Sequence, residues 1–201
     1  YEAANKLPGI ALIPVNQQGQ NQIFVLPGIS DDFSVADIDA AADLFKVVGT
    51  NNGALVLTLE CPLDTAVHAV KQANSNGLKV MFDPGGIEHD TDLSELLSAG
   101  VYLIKPNEHE AKMLTDIDVT DLASATEAAS KLHELGIDTV LITHGANGAY
   151  LCTADEQVHL PIPQTTDTGE KDETGCGDQT MAALCAFLQD NKPIKEAAEL
   201  A

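Results

Sequence analysis

The sequence predicts an α/β protein: a mostly parallel sheet with helices on both faces, plus a small β lid element ahead of it. Three observations predict this class. From Ser30 onward, short apolar runs alternate with amphipathic stretches. The apolar runs are nearly continuous, as strands covered on both faces are, and do not alternate with polar residues. Glycine, proline and small capping residues punctuate the boundaries between the two kinds of segment.

The first thirty residues stand apart. "GIALIPVN" and "NQIFVLPG" are β-rich runs separated by the polar "QQGQ", which predicts a hairpin or meander. Residues 1–30 are therefore expected as a partial β lid region and residues 31–201 as the α/β core.

Within the core, "SVADIDAAADLFKVV" has helical spacing behind Ser34 as N-cap. "ALVLTLE" is a strand, and "PLDTAVHAVKQANSNG" a helix with Pro62 in its first turn and Gly77 beyond its end. "LKVMFDP" and "VYLIKPN" are further strands, with the short helix "TDLSELLSAG" between them, closed by Gly100. "NEHEAKMLT" follows at once as a helix. "DLASATEAASKLHELG" is amphipathic, with Leu122, Ala125, Ala129, Leu132 and Leu135 on or near one face and Gly136 as its stop. "TVLITHG" is a strand, "GAYLC" and "QVHLPIP" read as an antiparallel pair, and a helix covers Asp178–Gln189.

Parallel strands joined by helices put their carboxyl ends on one edge, where such sheets bind ligands. Glu60, Asp83, Asn107 and His144 all fall at or just past strand ends. Chemistry is to be sought among them.

The charge is one-sided. The 201 residues include 31 acidic side chains against 10 lysines and no arginine, a formal charge of −21. A field of that sign repels phosphate backbones and argues against nucleic acid as a partner. No apolar run has the length of a membrane span. Cys61, Cys152, Cys176 and Cys185 form no C-x-x-C pair, and the histidines form no H-x-x-x-H. Cys61, Cys152 and Cys185 are expected as buried thiols in a reducing cytoplasm.

The most informative stretch is "KDETGCGDQTMAALCAFL". Gly175 and Gly177 flank Cys176 at the start of an apolar helix, and Asp178 follows. Two glycines let the backbone bend so that several N–H groups converge, and the helix dipole adds positive charge, which makes an anion site. Phosphoryl transfer to an alcohol uses an anion hole beside an aspartate that accepts the hydroxyl proton. No G-x-x-x-x-G-K-[ST] phosphate loop exists in the chain. Acyl transfer with Cys176 as nucleophile is a rival chemistry for the same turn, but no histidine is placed in sequence as its base.

At these residues the chain resembles the ribokinase-like, PfkB-type carbohydrate kinases. "DETGCGDQTMAAL" is similar to their D-T-x-G-A-G-D signature, "KPNEHEAKMLTD" to their P-N-x-x-E segment, and "LITHGANGAYL" to their phosphate loop. The matches span nearly the whole chain in the right order. The resemblance implies ATP-dependent phosphorylation of a sugar hydroxyl, with O5 of D-ribose favoured. Fructose, 2-keto-3-deoxygluconate or a nucleoside are alternative acceptors, and a non-catalytic sugar- or nucleotide-binding relative is the remaining alternative.

Residue by residue, the resemblance implies that Asp178 is the general base on the sugar, with Gly175, Cys176 and Gly177 forming the anion hole. It implies that Asn107 and Glu110 organise Mg²⁺ and the phosphates, largely through water. Asn107, Thr143, His144, Gly145, Ala146, Asn147, Gly148 and Gly177 would line the nucleotide. Glu60 would contact the sugar, and Asp172 and Thr174 would hold K⁺. A homodimer formed through the lid is a further implication.

Bland roles compete with these: first-turn charge for Glu110, a cap for Asn107, a strand-end charge for Glu60, and loop solvation for Asp172. Two departures from the pattern stand out, Cys176 in place of the usual alanine and "LPGISDDFS" in place of a Gly-Ala-Asn stretch. The chain is expected to be part of a longer polypeptide, lacking family segments at both ends, and to turn over poorly by itself.

Overall fold

The structure is a computed structural model that describes residues 6–17, 21–162 and 174–201. Its centre is a six-stranded sheet in simple sequential order: β3 (Ala54–Leu57), β4 (Lys79–Phe82), β5 (Leu103–Ile104), β6 (Thr139–Thr143), β7 (Ala149–Cys152) and β8 (Gln157–Leu160). The first four run parallel, β7 runs back antiparallel to β6, and β8 returns antiparallel to β7. Ahead of them, β1 (Ile10–Leu12) and β2 (Phe24–Leu26) pair antiparallel, with Ile10 opposite Leu26.

The helices are α1 (Val35–Ala40), α2 (Ala42–Thr50), α3 (Leu63–Ser75), α4 (Ser94–Ser98), α5 (Glu108–Thr115), α6 (Leu122–Glu134), α7 (Cys176–Gln189) and α8 (Ile194–Leu200). The period of two along each strand divides the core into two layers. Val80 and Phe82, Ile104, Val140 and Ile142, and Tyr150 and Cys152 face the cluster built with α1–α6. Met81, Leu103, Leu141 and Leu151 face the opposite cluster, built with Met181 and Leu184 of α7 and Ala197 of α8. Continuous apolar strands are thus the signature of a sheet with helices on both faces.

Several boundaries differ from the sequence expectation. The helix behind Ser34 breaks at Ala41 (φ −92°, ψ 8°) into α1 and α2. No glycine or proline marks the break, so periodicity alone runs the two together. Ser34 caps as expected: its backbone N–H and hydroxyl both donate to Asp37 Oδ2, at 2.9 and 2.7 Å. The strand read over Ala54–Glu60 ends at Leu57, leaving Glu60 in the following loop, and β5 shrinks to two residues. On α6 the buried face is Ala125, Ala128, Ala129 and Leu132, whereas Leu135 is the exposed C-cap. Helix α8 has no counterpart in the sequence reading. Cys152 is buried, but Cys61 and Cys185 are only half-buried. Burial still pushes all three thiols up from their ordinary range.

Among the described residues, no helix is long and apolar enough to cross a membrane.

Candidate active site

The antiparallel return of β7 and β8 matters to the site. Ala149 and Leu160 pair with each other, and Ala149 also lies opposite Thr143 at the carboxyl end of β6. The chain therefore leaves β8 on the same edge at which β3–β6 end. Helix α7 begins on that edge, close enough that Gly177 lies beside Lys105, the residue that follows β5.

Gly175 caps α7 in the left-handed conformation (φ 79°), with nothing among the described residues within 4 Å of where a Cβ would stand. The first bond of the helical ladder runs from Gln179 N–H to Gly175 O at 2.9 Å. The amides of Cys176, Gly177 and Asp178 precede that ladder and have no helical acceptor. They point out of the N-terminus, where the helix dipole favours negative charge. All three residues are exposed, and Asp178 sits on the first turn. The sequence reading of an anion hole rests on this turn, which the structure shows as a helix N-terminus with Asp178 in its first turn.

Asn107 and Glu110 form a reciprocal cap at the start of α5. Glu110 N–H donates to Asn107 Oδ1 at 2.8 Å, and Asn107 N–H donates to Glu110 Oε2 at 2.8 Å. The capping role weighed against the metal role is therefore real. The cap leaves Glu110 its second oxygen as an acceptor or ligand and leaves the Asn107 N–H₂ to donate to bound water or phosphate. Among the described residues, no group of three or more His, Cys, Asp or Glu could hold a metal ion by itself. The pair suits a magnesium ion that keeps its water shell and takes its other ligands from phosphates.

Burial pushes the Glu110 carboxyl above the usual carboxylate range. The Asn107 N–H opposes that shift, the Asp83 charge adds to it, and Lys105 opposes it. The folded protein thus holds this proton more tightly than the unfolded chain. Stability should fall as pH rises from the ordinary glutamate value of about 4.3 through the raised one; below the ordinary value both states are protonated and the cost vanishes. Glu110→Gln removes the titration. Its melting temperature is expected to gain on the unsubstituted protein as pH rises from about 4, then to level off. Thermal melts across that range check it, and a gap that does not change with pH would reject it.

The edge also gathers the loop after β6. Asn107 bridges to Thr143, whose N–H donates to Pro106 O at 2.9 Å. His144 N–H then donates to Gly148 O at 2.8 Å, closing a tight turn over Gly145–Asn147. Gly148 (φ 89°) is packed so closely that a Cβ there would lie 2.1 Å from Leu160 O. The His144 ring stands 5.9 Å from that of Tyr150, and His159 Nε2 lies 2.6 Å from Asn147 O. Ala146 completes the exposed turn.

Other expected site residues are placed more loosely. Glu60 is exposed in the loop after β3, next to Gly86. Thr174 Oγ1 accepts from Asn21 Nδ2 at 3.1 Å, which ties the β1–β2 hairpin to the residue before the anion turn. Asn21 also lines an open hollow of about 510 Å³ with Pro14, Val15, Asn16 and Gln22. Asp172, the other residue proposed for K⁺, lies outside the described residues.

One participant at this edge was missed. Lys105, read only as the end of a strand, buries its ammonium against Asp83 Oδ2 at 2.7 Å. Its position inside "LIKPN", directly before the capping asparagine, is the signal that could have found it.

Comparison with known proteins supplies the family. The whole chain, residues 1–201, matches the pfkB family carbohydrate kinase description. It is 34% identical to the ribokinase of Haemophilus influenzae over 196 residues, covering 96% of this chain and 60% of that protein. It is 28% identical to the deoxyribokinase of Salmonella typhi over 189 residues, covering 94% of this chain and 59% of that one. Among solved structures, Arabidopsis thaliana ribokinase complexed with ribose and ATP superposes with a TM-score of 0.81 at 25% identity, covering 96% of this chain and 60% of that one. The chain thus spans about three fifths of the length of these relatives. An anion turn, a capped Asn-x-x-Glu and a glycine loop on one sheet edge, with a match along its full length, make this chain a member of the pfkB family of carbohydrate kinases.

Proposed function

We propose that the full-length protein transfers the γ-phosphoryl group of ATP to a sugar hydroxyl, with O5 of D-ribose as the favoured acceptor. The observation that carries this reading is the turn Gly175–Asp178 at the carboxyl edge of the sheet, with the Asn107–Glu110 pair on the same edge. In the proposed reaction Asp178 accepts the proton of the attacking hydroxyl as the new O–P bond forms and ADP leaves. The amides of the Gly-Cys-Gly turn hold the charge on the phosphoryl oxygens. Thr143, His144, Gly145, Ala146, Asn147 and Gly148 line the nucleotide, and Glu60 accepts from sugar hydroxyls. Magnesium, when bound, neutralises phosphate charge; Glu110 and Asn107 orient its water shell. Thr174 and Asp172 supply oxygens for K⁺. The β1–β2 hairpin covers the sugar, and its exposed apolar residues Leu12, Phe24 and Leu26 suit a dimer contact.

The test is ADP release by the full-length protein with ribose, 2-deoxyribose, fructose, 2-keto-3-deoxygluconate and nucleosides, with and without K⁺. Ribose is expected to give the highest kcat/KM. A clear preference for 2-deoxyribose would instead align the protein with its deoxyribokinase relatives. No turnover with any acceptor, together with measurable ligand binding, would favour a non-catalytic binding protein.

A further inference from the structure

The pair Lys105–Asp83 is unlike every other lysine ion pair among the described residues. Those of Lys6, Lys46, Lys71, Lys112, Lys192 and Lys195 leave 32–65% of the lysine side chain exposed. Lys105 is 4% exposed and Asp83 10%. Charged side chains are almost never buried unless paired, and even a paired one loses more solvation than an apolar pair of the same shape would. Stability alone is a poor reason to keep it.

Its location supplies a better reason. Lys105 Nζ lies 3.5 Å from the point where a Cβ on Gly177 would stand, so the ammonium sits directly behind the first turn of α7. Asp83 is held at both oxygens: Oδ2 takes the ammonium and Oδ1 accepts from Gly85 N–H at 3.2 Å. Lys105 N–H donates to Phe82 O at 2.9 Å, which fixes the root of the side chain. An ammonium carries three donors and Asp83 Oδ2 takes one. The chain has no arginine and a formal charge of −21, so a guanidinium clamp for phosphate is not on offer from these residues.

We propose that Lys105 is the fixed positive charge behind the anion turn: it stabilises the negative charge gathered at the amides of Cys176, Gly177 and Asp178, and Asp83 positions it. This rests on the kinase reading above and adds to it a residue that acts through the turn. A fixed charge that is itself buried acts on a migrating phosphoryl group at little reorganisation cost.

The test uses the full-length protein with Lys105→Met, Lys105→Arg, Asp83→Asn and the double variant Asp83→Asn/Lys105→Met. Melting temperature, kcat, sugar KM, and calorimetric affinity for ATP and ADP are measured for each. Lys105→Met is expected to lower kcat about 100-fold, to leave sugar KM nearly unchanged, and to weaken ATP more than ADP. Lys105→Arg should recover part of kcat. Lys105→Met and Asp83→Asn should each melt lower, since each strands a buried partner. The double variant should regain melting temperature but not kcat. Recovery of kcat together with melting temperature would make the pair purely structural and overturn the proposal. Asp178→Asn separates the two readings: loss of turnover with nucleotide binding intact shows that the kinase reading stands, so an unaffected Lys105→Met would overturn the proposal alone. If the unsubstituted protein neither binds ATP nor turns over, both fall together.

Discussion

Asp178→Asn is expected to lower kcat by about 10²–10⁴-fold in the full-length protein, with ATP affinity little changed. Asparagine keeps the shape of the side chain on the first turn of α7 but cannot take a proton from a sugar hydroxyl. The amides of Cys176, Gly177 and Asp178 remain ahead of the helical ladder, whose first bond is Gln179 N–H to Gly175 O. Anion binding should therefore survive. The stability cost is small: a carboxylate at a helix N-terminus contributes about 0.3–1 kcal/mol through the dipole, and Asp178 is exposed. Coupled ADP release beside ATP calorimetry separates the effects. A variant that keeps its kcat would remove the proposed base; one that loses ATP binding as well would make Asp178 a residue of the nucleotide site.

Gly148→Ala is expected to be among the most damaging single-methyl additions at the described residues. The added Cβ would stand 2.1 Å from Leu160 O, at a backbone φ of 89° that side chains rarely adopt. Neither neighbour can yield cheaply, because Leu160 is paired with Ala149 and Gly148 O accepts from His144 N–H. Strain and clash together cost about 3 kcal/mol or more. That lowers the melting temperature by roughly 10 °C in a chain of this size. Gly136→Ala is the control, since its φ is 90° but nothing lies within 4 Å of its Cβ position. Equal losses in the two variants would assign the effect to backbone strain alone. Because Gly148 closes the loop proposed to line the nucleotide, the KM for ATP should rise in whatever fraction still folds.

Much of this arrangement can be read from residues alone, and the exceptions share a cause. Continuous apolar runs mark β4, β6 and β7 because both sides of each strand are covered, as the split of Met81 from Val80 and Phe82 makes plain. Asn107 and Glu110 are legible because a cap is a local affair of neighbouring residues. The ion pair between Asp83 and Lys105 is not, since it joins the ends of two strands separated by α4 and its loops. Asp83 stood out as a strand-end carboxylate, but nothing nearby in the chain named its partner. The break at Ala41 and the helix α8 likewise lack any local punctuation strong enough to mark them. The link from Asn21 to Thr174 spans most of the chain and belongs to the folded state alone.

The fold-back of β7 and β8 has a practical side for anyone wishing to watch this protein at work. Their connecting turn, with Ala154 and Asp155 exposed, projects from the far end of the sheet. A fluorophore or an inserted affinity peptide between those two residues would report on the molecule without crowding its working end. The graft should leave Glu156 intact, because Lys195 holds it and so moors the hairpin to α8.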